Sequence, residues 1–361
     1  MSKAAELAAL IGSQTALSNM NIIINGAMNV AQRSTSVASL SSTATYSTCD
    51  RWQVQYGSSG TFTESQSTTA PSGFSNSLKF DCTTADASPN YLVLDQRIEG
   101  QNLQHLKKGT SSAASTTLSF YVRSSKTGTY QVNLRDLDND RMIGATYTIS
   151  SANTWEFKSI TFAGDTTGAF DDDNASSLGV EWWLAAGSTY NSGAVPTAWE
   201  TTANGDRAAG LNVAIGASTS DDFHITGVQL EVGEQATPFE HRSFGDELAR
   251  CQRYYQVTAK ATSNYHVFPA QRFSSTKAFF SVPIATSMRA DPTLSSNTTD
   301  NIGLVGGNGS TTNFALSAVS FTNLDASSIT LNVTVDFTPS TGRGMTGYIT
   351  TGDELQFDAE L

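Results

Sequence analysis

Charge is the first thing this chain has little of. Of its 361 residues only 15% are Asp, Glu, Lys or Arg, and 21 basic residues stand against 33 acidic ones, a formal net charge of −12. No Lys/Arg cluster occurs, so nothing can neutralise a run of phosphates, and no nucleic-acid partner is expected. Such an acidic surface keeps molecules apart and leaves any ligand to be held by hydrogen bonds and stacking. Cysteine is scarce as well. Cys49, Cys82 and Cys251 are odd in number and far apart, without metal-ligand spacing or a disulfide framework. The expectation is buried free thiols in a chain assembled in a reducing cytoplasm. No cationic stretch leads into an apolar core at the start, and no apolar run approaches transmembrane length. Neither a secretion signal nor membrane insertion is expected.

Catalytic patterns are missing too. The four histidines, His105, His224, His241 and His266, fall in no H-E-x-x-H, and no G-x-S-x-G occurs. So many acidic residues guarantee coincidental carboxylate pairs, Asp95 and Glu99 among them. The reading is therefore a non-catalytic protein without an obligatory cofactor, a polysaccharide-degrading enzyme being the competing class.

What the chain does have is strand text. Thr suits a pleated, half-buried surface and Ser suits turns, and both are abundant. Residues 117–123, 130–135, 155–162, 178–185, 211–216 and 223–232 read as strands, most of them alternating, with Gly/Asn/Asp/Ser turns between. Beyond them 265–270, 278–284, 302–306, 314–321, 328–337 and 354–361 read the same way. The fold expected is all-β: two antiparallel, jelly-roll-like β-sandwich domains at 50–242 and 257–361. Two short helices accompany them. One spans 3 to about 11 and stops at Gly12; the other, within a linking segment 243–256, has Ser243 as its cap and Asp246 and Glu247 in its first turn. Residues 1–49 are read as a docking segment. Its helix is too short to stand alone, and Leu7, Leu10, Ile11, Ile22, Ile23 and Ile24 have no evident sheet of their own; the apolar run M-N-I-I-I-N-G-A-M-N-V-A-Q-R, broken by the turn pair Asn25-Gly26, reads equally as a first strand and hairpin of the following domain.

Two stretches carry a resemblance. I-I-I-N-G-A-M-N-V-A-Q-R-S-T-S (22–36) with D-R-W (50–52), and V-Q-L-E-V-G-E-Q-A-T-P-F-E-H-R-S-F-G-D-E-L-A-R-C-Q-R-Y-Y-Q (228–256), resemble tail-fibre-like virion proteins of marine short-tailed bacteriophages. They bracket a jelly roll that looks like a carbohydrate module. The resemblance implies a homotrimeric appendage displayed on the virion exterior and docked through its N-terminus to other virion proteins; a host-surface glycan as its ligand is the expectation from polar loops on a β scaffold. A head fibre or capsid decoration protein is the alternative position. It also implies a structural calcium ion, for which Asp50 of D-R-W and Glu231 of Q-L-E would be ligands.

Aromatic residues would matter most to a sugar binder, because a pyranose stacks its C–H face on a ring. Adjacent Trp182 and Trp183 must point to opposite faces of a strand. Trp199, Tyr190 and Asn191 share a long polar loop at 187–205 and are the candidate glycan contacts. Asp136, Asp138 and Asp140 alternate but lack an EF-hand's Gly and closing Glu and read as a polar hairpin tip, whereas Asp171-Asp172-Asp173-Asn174 reads either as a set of hard oxygen ligands or as a repelling, solvated loop.

Overall fold

The computed structural model describes residues 21–260, 266–272, 277–295, 302–305, 311–314, 319–325, 328–334, 345–349 and 354–361. Two compact units result, residues 1–247 with Leu361, and residues 248–360. The expected helix at 3–11, with Leu7, Leu10 and Ile11, lies outside the described residues. No helix among those described is long and apolar enough to cross a membrane.

Eleven strands build the first unit: β1 (Ser36–Thr45), β2 (Gln53–Ser67), β3 (Ser77–Thr84), β4 (Tyr91–Glu99), β5 (Thr116–Ser124), β6 (Gly128–Asp136), β7 (Arg141–Ile149), β8 (Glu156–Phe162), β9 (Ser176–Ala186), β10 (Glu200–Thr201) and β11 (Asp222–Val232). One hydrogen-bonded path runs β10-β7-β6-β9-β4-β2-β3-β11-β5-β8, with β1 beside β2. The long strand β2 is the corner. Gln53–Gly57 pair with β4, whereas Thr61–Ser67 pair with β3. Between them Gly60 takes φ +96°, and a Cβ there would lie 2.4 Å from the Thr84 carbonyl oxygen. Only glycine fits that bend. The path thereby folds into two antiparallel layers, a first sheet β10-β7-β6-β9-β4-β2 and a second sheet β2-β3-β11-β5-β8.

Period-two alternation sends one side chain in two to the space between the layers. Val54, Leu94, Trp182 and Val132 enter it from one register row of the first sheet. Phe80, Phe120, Phe223 and Ile225 enter it from the second. The Trp182 ring lies 5.6 Å from Trp52 and 5.7 Å from Phe120. Each large side chain buried this way contributes roughly 2–3 kcal/mol of transfer free energy. Trp183 points the other way, as adjacent strand residues must.

The structure corrects the expected boundary at residue 50. Residues 21–49 belong to the sandwich: Ile23, Met28, Val30 and Cys49 are buried in it. Ile22 donates its N–H to the Leu230 carbonyl at 2.9 Å and packs on the core. The Gln96 amide exchanges two 2.8 Å hydrogen bonds with the Ile24 backbone. These three isoleucines therefore have partners within their own chain, which removes the physical reason for reading them as docking residues. Asn25, in a left-handed turn at φ 57°, bonds the Val30 N–H and carbonyl and the Asp50 carbonyl through its side chain, while its own carbonyl accepts the Trp52 indole N–H at 3.1 Å.

The segment 211–216 is a second correction. It forms no strand; Asn212 bonds the Thr129 carbonyl at 3.0 Å, and Ile215 is buried and bonded to the Leu184 carbonyl at 2.9 Å. Its backbone bonds go to separate elements, Thr129 of β6, Leu184 of β9 and Asp86, so no continuous ladder forms. The helix at Phe244–Gln252 follows its expected cap, with the Ser243 hydroxyl accepting the Asp246 N–H at 3.2 Å.

In the second unit, Tyr255–Lys260, Glu354–Asp358 and Thr293–Ser295 form a three-stranded sheet in that order. A seven-stranded sheet has its middle at Met345–Ile349, His266–Arg272 and Lys277–Pro283. Every pairing is antiparallel. The expected strand at 314–321 divides in two, Thr311–Phe314 and Val319–Asp325.

Candidate functional site

The face of the first sheet turned away from the core is not the solvated polar surface that alternation alone suggests. Gln53, Asp95, Glu181, Asn133 and Gly144 form one row across β2, β4, β9, β6 and β7. The next row is Gln55, Val93, Trp183, Gln131 and Thr146. On the other side Arg97, Gly179 and Arg135 continue the pattern. Asp95, Glu181, Asn133, Gln131 and Trp183 are all buried, while Arg97 and Arg135 keep 33% and 27% of their side chains exposed. Two buried carboxylates thus lie beneath accessible guanidinium groups.

Each carboxylate is held differently. Glu181 Oε1 accepts from Arg207 at 2.9 Å and Arg135 at 3.4 Å, and Oε2 accepts the Trp183 indole N–H at 3.3 Å. Burial pushes its pKa up, yet the two cations together hold it below the usual carboxylate range. Asp95 Oδ2 accepts from Gln55 at 3.1 Å and from Arg97 at 3.3 Å. Its Oδ1 is buried without a hydrogen-bond partner, as are Arg135 Nε and Arg207 Nε. Burial lifts Asp95 to about 7; the Glu181 charge adds to that and Arg97 opposes it. A buried acceptor left unpaired costs about 1–3 kcal/mol, so this face carries unmet hydrogen-bonding capacity.

The loop after β9 lies over the β6–β7 side of the face, its Pro196 carbonyl taking the Gly144 N–H at 2.7 Å and its Gly210 N–H bonding Gln131 at 2.8 Å. Its Ala208 N–H bonds the Tyr190 carbonyl at 2.8 Å. Gln131 and Asn133 hold the loop down by donating to the carbonyls of Asp206 and Arg207 at 2.8 and 2.7 Å. The Arg207 guanidinium lies 4.9 Å from the Trp183 ring centroid and 5.7 Å from that of Tyr190. Tyr190 in turn packs on Trp183 at 5.1 Å and edge-on to Tyr91 at 5.4 Å. Asn191 is exposed and its amide is 3.4 Å from the Ala186 carbonyl.

Trp199 does not join Tyr190. The loop doubles back on itself, Gly193 N–H to Gly205 carbonyl at 3.0 Å. Trp199 is meanwhile drawn to the far edge, where its indole N–H bonds the Ala163 carbonyl at 2.7 Å. Its ring lies 5.4 Å from the Lys108 ammonium, a buried cation paired with Asp136 and Asp165 at 2.5 and 3.1 Å. A single stacking platform built from one loop is therefore not what the fold makes of these residues.

The two expected metal ligands are also apart in use. Asp50 accepts the Gln32 backbone and side-chain amides at 2.8 and 2.5 Å. Glu231 accepts the Thr237 N–H at 2.9 Å and hydroxyl at 2.7 Å. Among the described residues no group of three His, Cys, Asp or Glu gathers as a metal would require. His224 is buried, with Nδ1 3.1 Å from the Ser77 hydroxyl, and burial, helped by Arg123 and Lys79, depresses it to about 3.

Sequence reading missed Asp95–Glu181 and their row. Only the charged residues at every second position of Y-L-V-L-D-Q-R-I-E hint at a second polar face. No family model matches the chain, and no curated protein matches it. Solved structures do. A protein of Bacteroides thetaiotaomicron assigned to sugar binding is 12% identical with a TM-score of 0.35, covering 59% of this chain and 100% of its own. The enzymatically active domain of tailspike protein 4 of bacteriophage CBA120 is 14% identical at 0.31, over 59% of this chain and 22% of that one. The carbohydrate-binding module TmCBM61, solved with β-1,4-galactotriose, is 11% identical at 0.29, over 59% and 99%.

Proposed function

We propose that the first unit binds a glycan on the outer face of its first sheet, and that the chain is a phage appendage attaching to the host surface. The observation that carries the glycan reading is the unpaired Asp95 Oδ1 beside Glu181, beneath Arg97 and Arg135. Vicinal sugar hydroxyls donate to carboxylates and accept from guanidinium groups at once, which this alternation of donors and acceptors suits. Tyr91 and Tyr190 supply ring surface at the border. Hydrogen bonds to charged partners contribute about 1.5–3 kcal/mol each, and three copies in a homotrimer would multiply weak contacts into avidity.

The appendage role is supported by the resemblance of residues 22–36, 50–52 and 228–256 to tail-fibre-like proteins. The test is adsorption. Purified protein should retain labelled host-surface glycan and compete with particles for cells, and Arg97→Ala with Arg135→Ala should lose both while keeping the parent's circular dichroism at the assay temperature, at a melting temperature lowered because the buried Asp95 and Glu181 each lose a cation. Retention by the double variant would overturn the site. A second reading, cleavage instead of binding, draws on one observation: Asp95 keeps its proton to about pH 7 opposite an ionised Glu181, the split that acid–base pairs use. Release of reducing ends from the same glycan, lost in Asp95→Asn, would decide for it.

A further inference from the structure

The outer face of the second sheet carries a groove that the proposed site does not use. Its volume is about 470 Å³, within the range of roughly 300–1,000 Å³ typical of small-molecule sites. The floor is strand surface: Tyr121 of β5 pairs with Phe157 of β8, and Ser119 of β5 with Gln229 of β11. The walls are Phe74, from the connection between β2 and β3, and Phe239 with His241, from the segment after β11. The rings run as a chain, Phe157–Tyr121 at 5.0 Å, Tyr121–Phe74 at 5.6 Å, Phe74–Phe239 at 5.0 Å and Phe239–His241 at 4.9 Å.

Separate features build this groove. β11 bulges between Thr226 and Gln229, and Gly227 sits in the bulge at φ +63°. A Cβ there would meet the Phe74 ring at 2.7 Å and the Tyr121 ring at 3.0 Å, so glycine lets both rings close on the strand. The far wall is pinned from below by two buried polar side chains. Glu231 takes both the N–H and the hydroxyl of Thr237, and Gln229 Oε1 takes the Glu240 N–H at 2.8 Å. Phe157 is nevertheless 50% exposed, one of three large hydrophobic residues left so among those described.

The chemistry of the lining selects the occupant. No Lys, Arg, Asp or Glu lines the groove, in a chain of net charge −12. Ionic ligands of either sign therefore find no counter-charge. Flat ring faces accompany the hydroxyls of Ser72, Ser119 and Tyr121 and the His241 imidazole. A ligand that stacks an apolar C–H face while offering uncharged hydroxyls matches both sets. We propose that this groove is a second carbohydrate site, taking a neutral pyranose. It shares the ligand class of the first-sheet face but none of its residues, so each stands without the other. The polar face, with its three arginines and two carboxylates, is free to read a charged sugar.

The test is NMR of the whole chain labelled at its aromatic rings, titrated with the methyl glycosides of glucose, galactose and mannose and with β-1,4-galactotriose. Expected are saturable shifts of the Phe157, Tyr121 and Phe239 signals with at least one probe, at an affinity of order millimolar. Phe157→Ala should weaken that response about tenfold with the melting temperature unchanged, since an exposed ring contributes little to the fold. Gly227→Ala should abolish it by displacing the rings. Silence of these rings with all four probes, or parent-like binding by Phe157→Ala, overturns the proposal. Shifts that follow protein concentration instead of sugar also overturn it and assign the groove to a second copy of the chain. Response of the Trp183 indole alone ends this proposal and leaves the first-sheet reading standing; response of the groove rings alone sustains this proposal and leaves the first-sheet face to its own adsorption test.

Discussion

Asp95 and Glu181 stand directly opposite each other on β4 and β9, and the fold gives them opposite protonation behaviour. Glu181 has two guanidinium partners, whereas Asp95 has one that is a third exposed. As pH rises through about 7, Asp95 loses its only proton and changes from donor to pure acceptor. Glycan affinity is therefore expected to step near neutral pH, and Asp95→Asn should flatten the step. Isothermal titration across roughly two pH units on either side of 7 measures it. An unchanged step in Asp95→Asn would remove this carboxyl from the site.

Glu64 offers a stability experiment of known sign. It is fully buried on β2, bonded by the Thr48 hydroxyl at 2.5 Å and the Tyr56 hydroxyl at 3.4 Å, and burial raises its pKa from 4.5 to about 7. Below the unfolded value both states hold the proton and nothing is lost. Between that value and about 7 the unfolded chain ionises while the folded one does not, so stability falls as pH rises. The full cost, on the order of 3 kcal/mol, persists above the folded value. Glu64→Gln should accordingly raise the melting temperature at alkaline pH and leave it unchanged at pH near 4. A gain of equal size at both pH values would mean that ionisation is not the cause.

The two motifs that bracket the first unit meet in space. Arg242 donates to the Ile23 carbonyl at 3.0 Å, 219 residues away, and also to the Asn21 carbonyl, while pairing with Glu240 at 3.3 Å. Glu240 accepts the Asn21 N–H at 2.7 Å, and Glu247 accepts that of Asn25 at 2.5 Å. Arg242→Ala should cost about 2–3 kcal/mol, because it strands two carboxylates and two carbonyls. Removal of residues 1–45 should prevent folding, since Ile23, Met28 and Val30 leave the core with it. Removal of residues 1–20 alone is the proper trial of docking through Leu7, Leu10 and Ile11. Particles should lose the protein while circular dichroism melts stay as in the parent, and full incorporation would sink the idea.

Trp199 and Tyr190 should now part company under mutation. Trp199→Ala removes a half-buried ring and its bond to Ala163, and is expected to cost about 2 kcal/mol with glycan affinity retained. Tyr190→Ala removes a ring at the border of the polar face and should weaken binding several-fold at near-parent stability. Parallel melts and affinity electrophoresis of both variants test this. Equal losses of affinity would restore the two to one site.

Local chemistry is what the sequence by itself determined. Alternation over T-L-S-F-Y-V-R, Y-Q-V-N-L-R and L-G-V-E-W-W-L-A places β5, β6 and β9, because a strand's two faces are set by neighbours in the chain. Ser243 with Asp246 caps a helix within one turn, again a matter of a few residues. The all-β class and the opposite facing of Trp182 and Trp183 follow from the same short range. Pairing is where that reach ends. β1, S-V-A-S-L-S-S-T-A-T, carries no alternation and becomes a strand because β2 lies beside it. Leu211–Gly216 alternates well yet stays irregular, its backbone bonding at scattered points, to Thr129 and Leu184 among others, instead of along one ladder. Glu231 looks like any other carboxylate until Thr237 closes on it, and Ile22–Ile24 look unpartnered until Gln96 and Leu230 arrive from strands far along the chain. The row Gln53, Asp95, Glu181, Asn133 and the groove rings Phe74, Tyr121, Phe157, Phe239 are each gathered from separate strands and connections. Only strand order and register bring such residues together, and those are settled by the packing of the whole core.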